Sequence, residues 1–273
     1  MKFAVLILNR NTKKVVDNLI ASFVNNGFGS EDIFVVDAGS RESEIPSRLM
    51  IRADDAYTLK HGLRFNRGFN LGLKTLLDNG LFFNYDGFVL APNDVILGRH
   101  FAPSRLETIF ARHHRLGLLS PCHHDWGERH FIAKNSLKYF WFIQTHAYVV
   151  RRSMIESTWN PEASAFDDFW LDGTNFRGFL GETEIIAKGY ANDWASAITN
   201  EIFVGENESI LSAFYEYIDT EKPELNDDLY VNEGLAWVRR KYGFSSRWRM
   251  NDYAKSMYEN FFRYNPELGA WRL

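Results

Sequence analysis

The chain has 273 residues, 45% of them hydrophobic, enough for one large domain or a domain with an appendage. A formal net charge of -4 leaves no electrostatic footprint for duplex nucleic acid. The single cysteine, Cys122, excludes an internal disulfide framework and fits a reducing compartment.

In chain order, residues 3–8 (FAVLIL) read as a strand covered on both faces. The run is too short for the apolar region of a signal peptide, and no stretch approaches the roughly 18 apolar residues of a membrane span. The expectation is a cytoplasmic protein. Residues 12–27 carry Val15, Val16, Leu19, Ile20 and Phe23 at helical spacing and close on Gly27. Residues 33–37 (IFVVD) form a second strand and 48–52 a short third one. Residues 66–80 read as a loop entering a helix with Gly80 at its end. Residues 87–91 form a fourth strand, 104–115 a helix and 116–120 another strand. The alternation is a βαβ pattern and implies a mostly parallel sheet. Residues 121–137 are polar and His-rich, 139–150 (YFWFIQTHAYVV) a strongly apolar strand region, and 151–157 a helix start. Residues 160–183 lack periodicity and read as an active-site loop, followed by a short helix at 184–190. From about residue 206 aromatic, helix-like segments alternate with acidic turns such as TEKPELNDD. A boundary near 205 therefore separates an α/β domain, 1–205, from a mainly helical extension, 206–273.

Three strands end in polar groups: Asn9-Arg10-Asn11, Asp37 before Ala-Gly-Ser, and Asn93-Asp94 after FVLAP. Open α/β sheets bind ligands at the carboxyl ends of their strands, so this edge is the candidate nucleotide site. Neither GxGxxG after the first strand nor a P-loop is present, which argues against a dinucleotide dehydrogenase or a P-loop enzyme.

Six segments resemble, in order and rough spacing, those of family 2 glycosyltransferases. They are VLILNRNT, VVDAGSRES, RFNRGFNLGLK, FVLAPNDVIL, YVVRRSMIE and GETEIIAKGY, and together they span residues 3–190. The resemblance implies a GT-A-like, Rossmann-like fold: one mostly parallel sheet flanked by helices. It implies inverting transfer of a sugar, hexosyltransferase-like, from a nucleotide-diphosphate donor to a glycan or other hydroxyl acceptor. Residues 206–273 fall outside it.

The resemblance also distributes roles. Asp37 accepts hydrogen bonds from the base or ribose, or else caps its own turn. Asn9, Arg10 and Asn11 wall the base. Asn66 and Arg67 precede Gly68, which allows close backbone approach, and Arg67 pairs with the diphosphate or is a surface arginine. Asn93 joins this donor set. Asp94 ligates Mn²⁺ or Mg²⁺, although Pro92 stands where the family often has a first acid. Glu182 falls at the position of the general base, with Asp172 as its competitor. Glu184 and His146 are candidate substrate contacts. Both Glu182 and Glu184 also suit a helix N-terminus. The family's usual His after Gly-Tyr is missing: residues 191–205 read ANDWASAITNEIFVG.

The remaining histidines, His113, His114, His123, His124 and His130, read as loop residues rather than zinc ligands, since no HExxH is present. In the extension, Trp237-Val-Arg-Arg-Lys-Tyr242 and Ser246-Arg-Trp-Arg249 suit a helical face packed on the core; a peripheral membrane contact or a homodimer surface are the alternatives. Two other functions fit less well: nucleotidyl transfer, which needs a glycine-rich loop absent at Asn9–Thr12, and sugar or nucleotide binding without turnover.

Overall fold

A computed structural model describes residues 1–98, 100–125, 127–143, 146–207, 210 and 223–273. The elements run β1 (Phe3–Asn9), α1 (Lys13–Asn25), β2 (Ile33–Asp37), β3 (Leu49–Arg52), α2 (Ala56–His61), α3 (Arg64–Asp78), β4 (Gly87–Ala91), β5 (Val95–Leu97) and α4 (Pro103–Arg112). Then follow β6 (Leu116–His123), β7 (Leu137–Tyr139), β8 (Tyr148–Arg151), α5 (Arg152–Thr158), α6 (Gly181–Ala191), β9 (Ala195–Glu206), α7 (Pro223–Tyr242) and α8 (Arg247–Tyr264).

One sheet organises the chain, with the order β3-β2-β1-β4-β8-β6-β9-β5 and β7 paired to β9. Strands β3, β2, β1, β4, β6 and β9 point the same way, and β8, β5 and β7 oppose them. The mostly parallel sheet flanked by helices is thus present, as is the helical C-terminus. Burial explains the composition of its centre: Ala4 to Ile7 and Phe88 to Ala91 are fully enclosed, so both faces of β1 and β4 are apolar. Helix α1 covers one face with Val16, Leu19, Ile20 and Phe23, and α3 packs with Phe69, Leu73 and Leu76. Gly68 and Gly72 let α3 lie close on the sheet, because a Cβ there would meet Leu8 Cδ2 at 2.8 Å and Val36 Cγ2 at 2.9 Å.

Two stretches differ from the sequence reading. The apolar run 139–150 is not one strand: β7 ends at Tyr139 and β8 starts at Tyr148, while Phe140, Trp141 and Ile143 pack on the core from a loop. Hydrophobicity there reports burial, not backbone shape. Strand β9 is long and mostly buried, yet it begins ASAITNE. Two of its buried polar residues are paired internally: Asn200 Oδ1 accepts from the Ser136 amide at 2.9 Å, and Arg112 reaches both Glu201 oxygens at 2.7 Å. Gln144 and Thr145 of the expected strand, and residues 220–222 of the expected acidic turn, lie outside the described residues.

The extension packs on the α/β part. Helix α8 lies on α6, with Tyr190 against Tyr258 and Phe261 at ring separations of 5.5 and 5.3 Å. Helix α7 buries Trp237 and Val238 with Leu180 and Met250. Among the described residues no helix is long and apolar enough to cross a membrane.

Candidate active site

A cleft of about 230 Å³ opens at the carboxyl ends of β1 and β4. Leu8, Asn9 and Arg10 supply one side, Pro92, Asn93 and Asp94 another, and the turn from His61 to Phe65 a third. Parallel pairing of β1 with β4 ends both strands at this edge, which is why their polar tails meet.

Beneath the cleft the polar tails hold one another. Asn9 Nδ2 donates to Asp37 Oδ2 at 2.6 Å and to Ser40 Oγ at 2.9 Å. Thr12 Oγ1 donates to Asn9 Oδ1 at 3.1 Å and accepts from Asn93 Nδ2 at 2.8 Å. Asp37 is fully buried, and the Ser40 amide and hydroxyl donate to its two oxygens at 2.9 and 2.6 Å. The carboxylate braces its turn and does not line the cleft. Asn11, in the left-handed region at φ 53°, accepts from the Arg41 amide at 2.8 Å and sits beside this turn.

Arg10 is committed to the chain itself. Its guanidinium donates to the carbonyls of Thr58, Leu59 and Lys60 at 2.8 to 3.2 Å, the carbonyl end of α2. This contact sets the Gly62–Arg64 turn against β1. Arg64 follows at φ 60°, a left-handed conformation that costs a residue with a Cβ roughly 1–2 kcal/mol, and it lines the cleft.

Arg64 was not among the expected residues, and the two that were, Asn66 and Arg67, do not line the cleft. Asn66 is buried and donates to the Asp172 carbonyl at 3.0 Å, and Arg67 Nε donates to Asp167 Oδ1 at 2.8 Å, flanked by the rings of Tyr57, Phe166 and Phe176. Both hold the loop 166–176 against α3. Gly68 serves packing on Leu8 rather than approach to a ligand.

Glu182 stands in the first turn of α6, after Leu180 in the left-handed region at φ 65°. Burial pushes its carboxyl up to about 7, and a hydrogen bond to its own backbone offsets only part of this. The phenols of Tyr148 and Tyr230 are near enough to be raised by its charge, after burial. The Tyr148 ring meets Phe65 edge-on at 6.0 Å, and Phe65 lines the cleft. Glu182 itself does not line the cleft; its neighbour Gly181 lies against Asn66, where a Cβ would meet Asn66 Nδ2 at 3.1 Å, one residue beyond Phe65 of the wall.

Asp172 and Glu184 lie elsewhere. Burial raises the Asp172 carboxyl, but donors from Lys241, Thr174 and Trp237 outweigh it and hold the group well below the usual carboxylate range. Glu184 is buried and receives Tyr242 Oη and, at 2.7 Å, Lys241 Nζ. Both acids anchor α7, and a carboxylate saturated with donors is a poor base.

Asp94 is half-buried; burial first, then the charge of Glu206, pushes its carboxyl up to about 6. Near it a cluster appears that the sequence reading missed. His146 Nδ1 lies 2.7 Å from Glu206 Oε1, and the rings of His123 and His146 are 4.7 Å apart. Burial lowers both imidazoles, His146 to about 4, which keeps them in the neutral form that binds metals. His123, His146 and Glu206 are 23 and 60 residues apart in sequence, so no local spacing could signal them.

No family model matches the chain, and no curated protein matches its sequence. Solved structures do. S. aureus TarS 1-349 in complex with UDP superposes with a TM-score of 0.50 at 10% identity, covering 88% of this chain and 74% of that one. The fold is GT-A-like. The longer S. aureus TarS structure gives a TM-score of 0.50 at 13% identity over 90% of this chain and 44% of that one. The mannosyltransferase PcManGT from Pyrobaculum calidifontis, in complex with GDP-Man and Mn²⁺, gives 0.48 at 9% identity over 96% and 87%.

Proposed function

We propose that this chain is a sugar transferase that passes a sugar from a nucleotide-diphosphate donor to a hydroxyl of a glycan or other acceptor, with inversion. The observation that carries the reading is the placing of Glu182, a buried acid in the first turn of α6, next to the α3 start that walls a cleft built from strand ends; burial raises its carboxyl. A base with a pKa near the operating pH is both available and strong enough to take a proton in the transition state.

Glu182 removes the acceptor hydroxyl proton as that oxygen attacks the anomeric carbon. The bond from that carbon to the diphosphate oxygen breaks, and nucleoside diphosphate leaves. Arg64 and His61, which line the cleft, replace Arg67 as the residues proposed to pair with the diphosphate. Asn9, Arg10 and Asn93 line the donor side, Arg10 also fixing the end of α2; Asp37 and Asn11 act beneath it by fixing the turns. A divalent cation beside Asp94 would offset the leaving group's charge as a Lewis acid.

The test is nucleoside diphosphate release from a panel of UDP-, GDP- and dTDP-sugars with simple glycan acceptors, preceded by thermal shift to find the bound donor. Release that depends on acceptor supports the reading. Donor-induced stabilisation without any turnover would make the chain a binding protein instead.

A further inference from the structure

The edge of the sheet that carries the cleft also collects two imidazoles and a carboxylate from three separate strands. His123 is the last residue of β6, Glu206 the last of β9, and His146 lies just before β8, which runs the other way. Parallel pairing of β6 with β9 and antiparallel pairing of β8 with β6 bring all three to one end of the sheet. Strand β5 closes the group: Val95 pairs with Glu206, and the Asn207 amide donates to the Asp94 carbonyl at 2.7 Å. Asp94 is thereby the next acid beside the cluster.

We infer that His123, His146 and Glu206 form a seat for a divalent transition-metal ion of the Zn²⁺, Co²⁺ or Mn²⁺ kind, at which Mg²⁺ is a poor occupant. This deepens the transferase reading by naming the cation and its ligands, and it moves the seat from Asp94 alone to a set with Asp94 at its border.

Donor chemistry favours this class. Mg²⁺ takes oxygen ligands and keeps its waters, whereas imidazole selects zinc, cobalt and related ions. Geometry is close to what a metal needs. One donor atom from each residue lies within 4.8 Å of the other two, and His146 Nδ1 is already 2.7 Å from Glu206 Oε1. Donors around a tetrahedral ion with bonds of about 2.1 Å stand roughly 3.4 Å apart, so the outermost contact has to shorten by up to about 1.4 Å. The residue able to move is Glu206, whose side chain is 21% exposed beside two buried rings. His123 is held from behind. The Asp125 amide donates to His123 Nδ1 at 3.0 Å, and Glu128 Oε1 accepts from the His123 amide at 3.0 Å. Ligation through His123 Nδ1 would displace the Asp125 amide; ligation through Nε2 would require the neutral ring to carry its proton on Nδ1 instead, again at the cost of the Asp125 contact.

The experiment uses the full untagged chain, freed of metal by chelator and desalting, with no sugar nucleotide present. Co²⁺ titration is read in the visible d–d bands, and Zn²⁺, Mn²⁺ and Mg²⁺ are compared by melting temperature. Expected are one equivalent of Co²⁺ with new visible bands, a rise of roughly 5 °C with Zn²⁺ at a hundredfold excess over its Kd, and no rise with Mg²⁺ at that concentration. His123→Asn and His146→Asn each remove the bands; Glu206→Gln weakens Co²⁺ at least tenfold. If a variant fails to fold, the Co²⁺ against Mg²⁺ comparison on the unaltered chain still decides. No bands and no stabilisation by any ion would overturn the proposal and leave a hydrogen-bonded His–Glu pair. Equal stabilisation by Mg²⁺ would overturn it in favour of an all-oxygen site at Asp94. Bands that survive both His variants would place the ion elsewhere and also overturn it. Because no donor is used, none of these failures touches the transferase reading, which stands or falls on acceptor-dependent nucleotide release.

Discussion

Trp237 Nε1 donates to Asp172 Oδ2 at 2.9 Å, and Lys241, one turn further along α7, reaches the same oxygen and Glu184 Oε1. One face of the helical extension is thus bonded to both acids that flank Glu182 in sequence. The loop that carries Asp172 and the helix that carries Glu182 are held by a segment outside the α/β part.

Lys241→Met tests that latch. It leaves Glu184, nearly enclosed, with Lys188 at 3.4 Å and the Tyr242 hydroxyl as its remaining partners. Stripping one partner from a buried ion pair costs up to about 3 kcal/mol, and Lys241 is partly exposed, so the expected loss is on the order of 2 kcal/mol in chemical denaturation. An unchanged midpoint would mean that the apolar contacts of Trp237 and Val238 hold α7 unaided.

The βαβ half of the fold was legible because its signals are local. FAVLIL, IFVVD and GFVLA are enclosed strands, and the polar groups at their ends follow directly from them. Glu182 was readable locally only as an acid at a helix start; its role as base came from the resemblance of GETEIIAKGY. What was illegible depends on pairing between distant strands. His123, His146 and Glu206 meet only because β6, β8 and β9 are neighbours. Arg64 and Arg67 are three residues apart on one helix, and only the packing of α3 decides which one faces the cleft. Asp172 looked like a rival base until α7 was seen to cover it.

Glu182→Gln should keep donor binding and lose transfer by at least a hundredfold. In the unaltered chain kcat/KM should rise with pH to a plateau above about 7, as Glu182 becomes the carboxylate. Stability carries the opposite sign. Glu182 holds its proton in the folded chain up to about 7 but loses it near 4.5 when unfolded, so folding loses stability as pH rises between these values. The Gln variant escapes that loss, which is at most roughly 3 kcal/mol. Its melting temperature relative to the parent should therefore be higher at pH 8 than at pH 5. A pH-independent difference would sink the assignment of a raised pKa to this residue.

Arg64 and Arg67 offer a paired test of the cleft. Arg64→Ala should raise the donor KM or Kd by roughly ten- to a hundredfold, the range of a charge-assisted contact. It also relieves little of the left-handed strain, since alanine keeps a Cβ at φ 60°. Arg67→Ala removes the contact with Asp167 and the three aromatic rings, so its effect should fall on stability, with donor affinity nearly unchanged. Calorimetric titration of both variants with the nucleoside diphosphate separates them. The reverse pattern would return the diphosphate to Arg67.

Asn70 should prove the stronger of the two asparagine clamps on the acidic loop. It is fully buried and bonds both ways to one residue, donating to the Leu171 carbonyl at 2.6 Å and accepting from its amide at 2.9 Å. Alanine there strands a buried N–H and a buried carbonyl, each worth about 1–3 kcal/mol when unsatisfied. Asn66 donates to two carbonyls, at 3.0 and 3.4 Å, the second a weak contact, so its loss leaves less unpaired. Urea denaturation should therefore give Asn70→Ala a penalty of roughly 2–4 kcal/mol and Asn66→Ala about half of it. Because Leu171 and Asp172 are consecutive, Asn70→Ala should also loosen the Trp237 contact and make the 166–176 loop more open to proteolysis. Equal penalties with no change in cleavage would show that the loop is held by α7 alone.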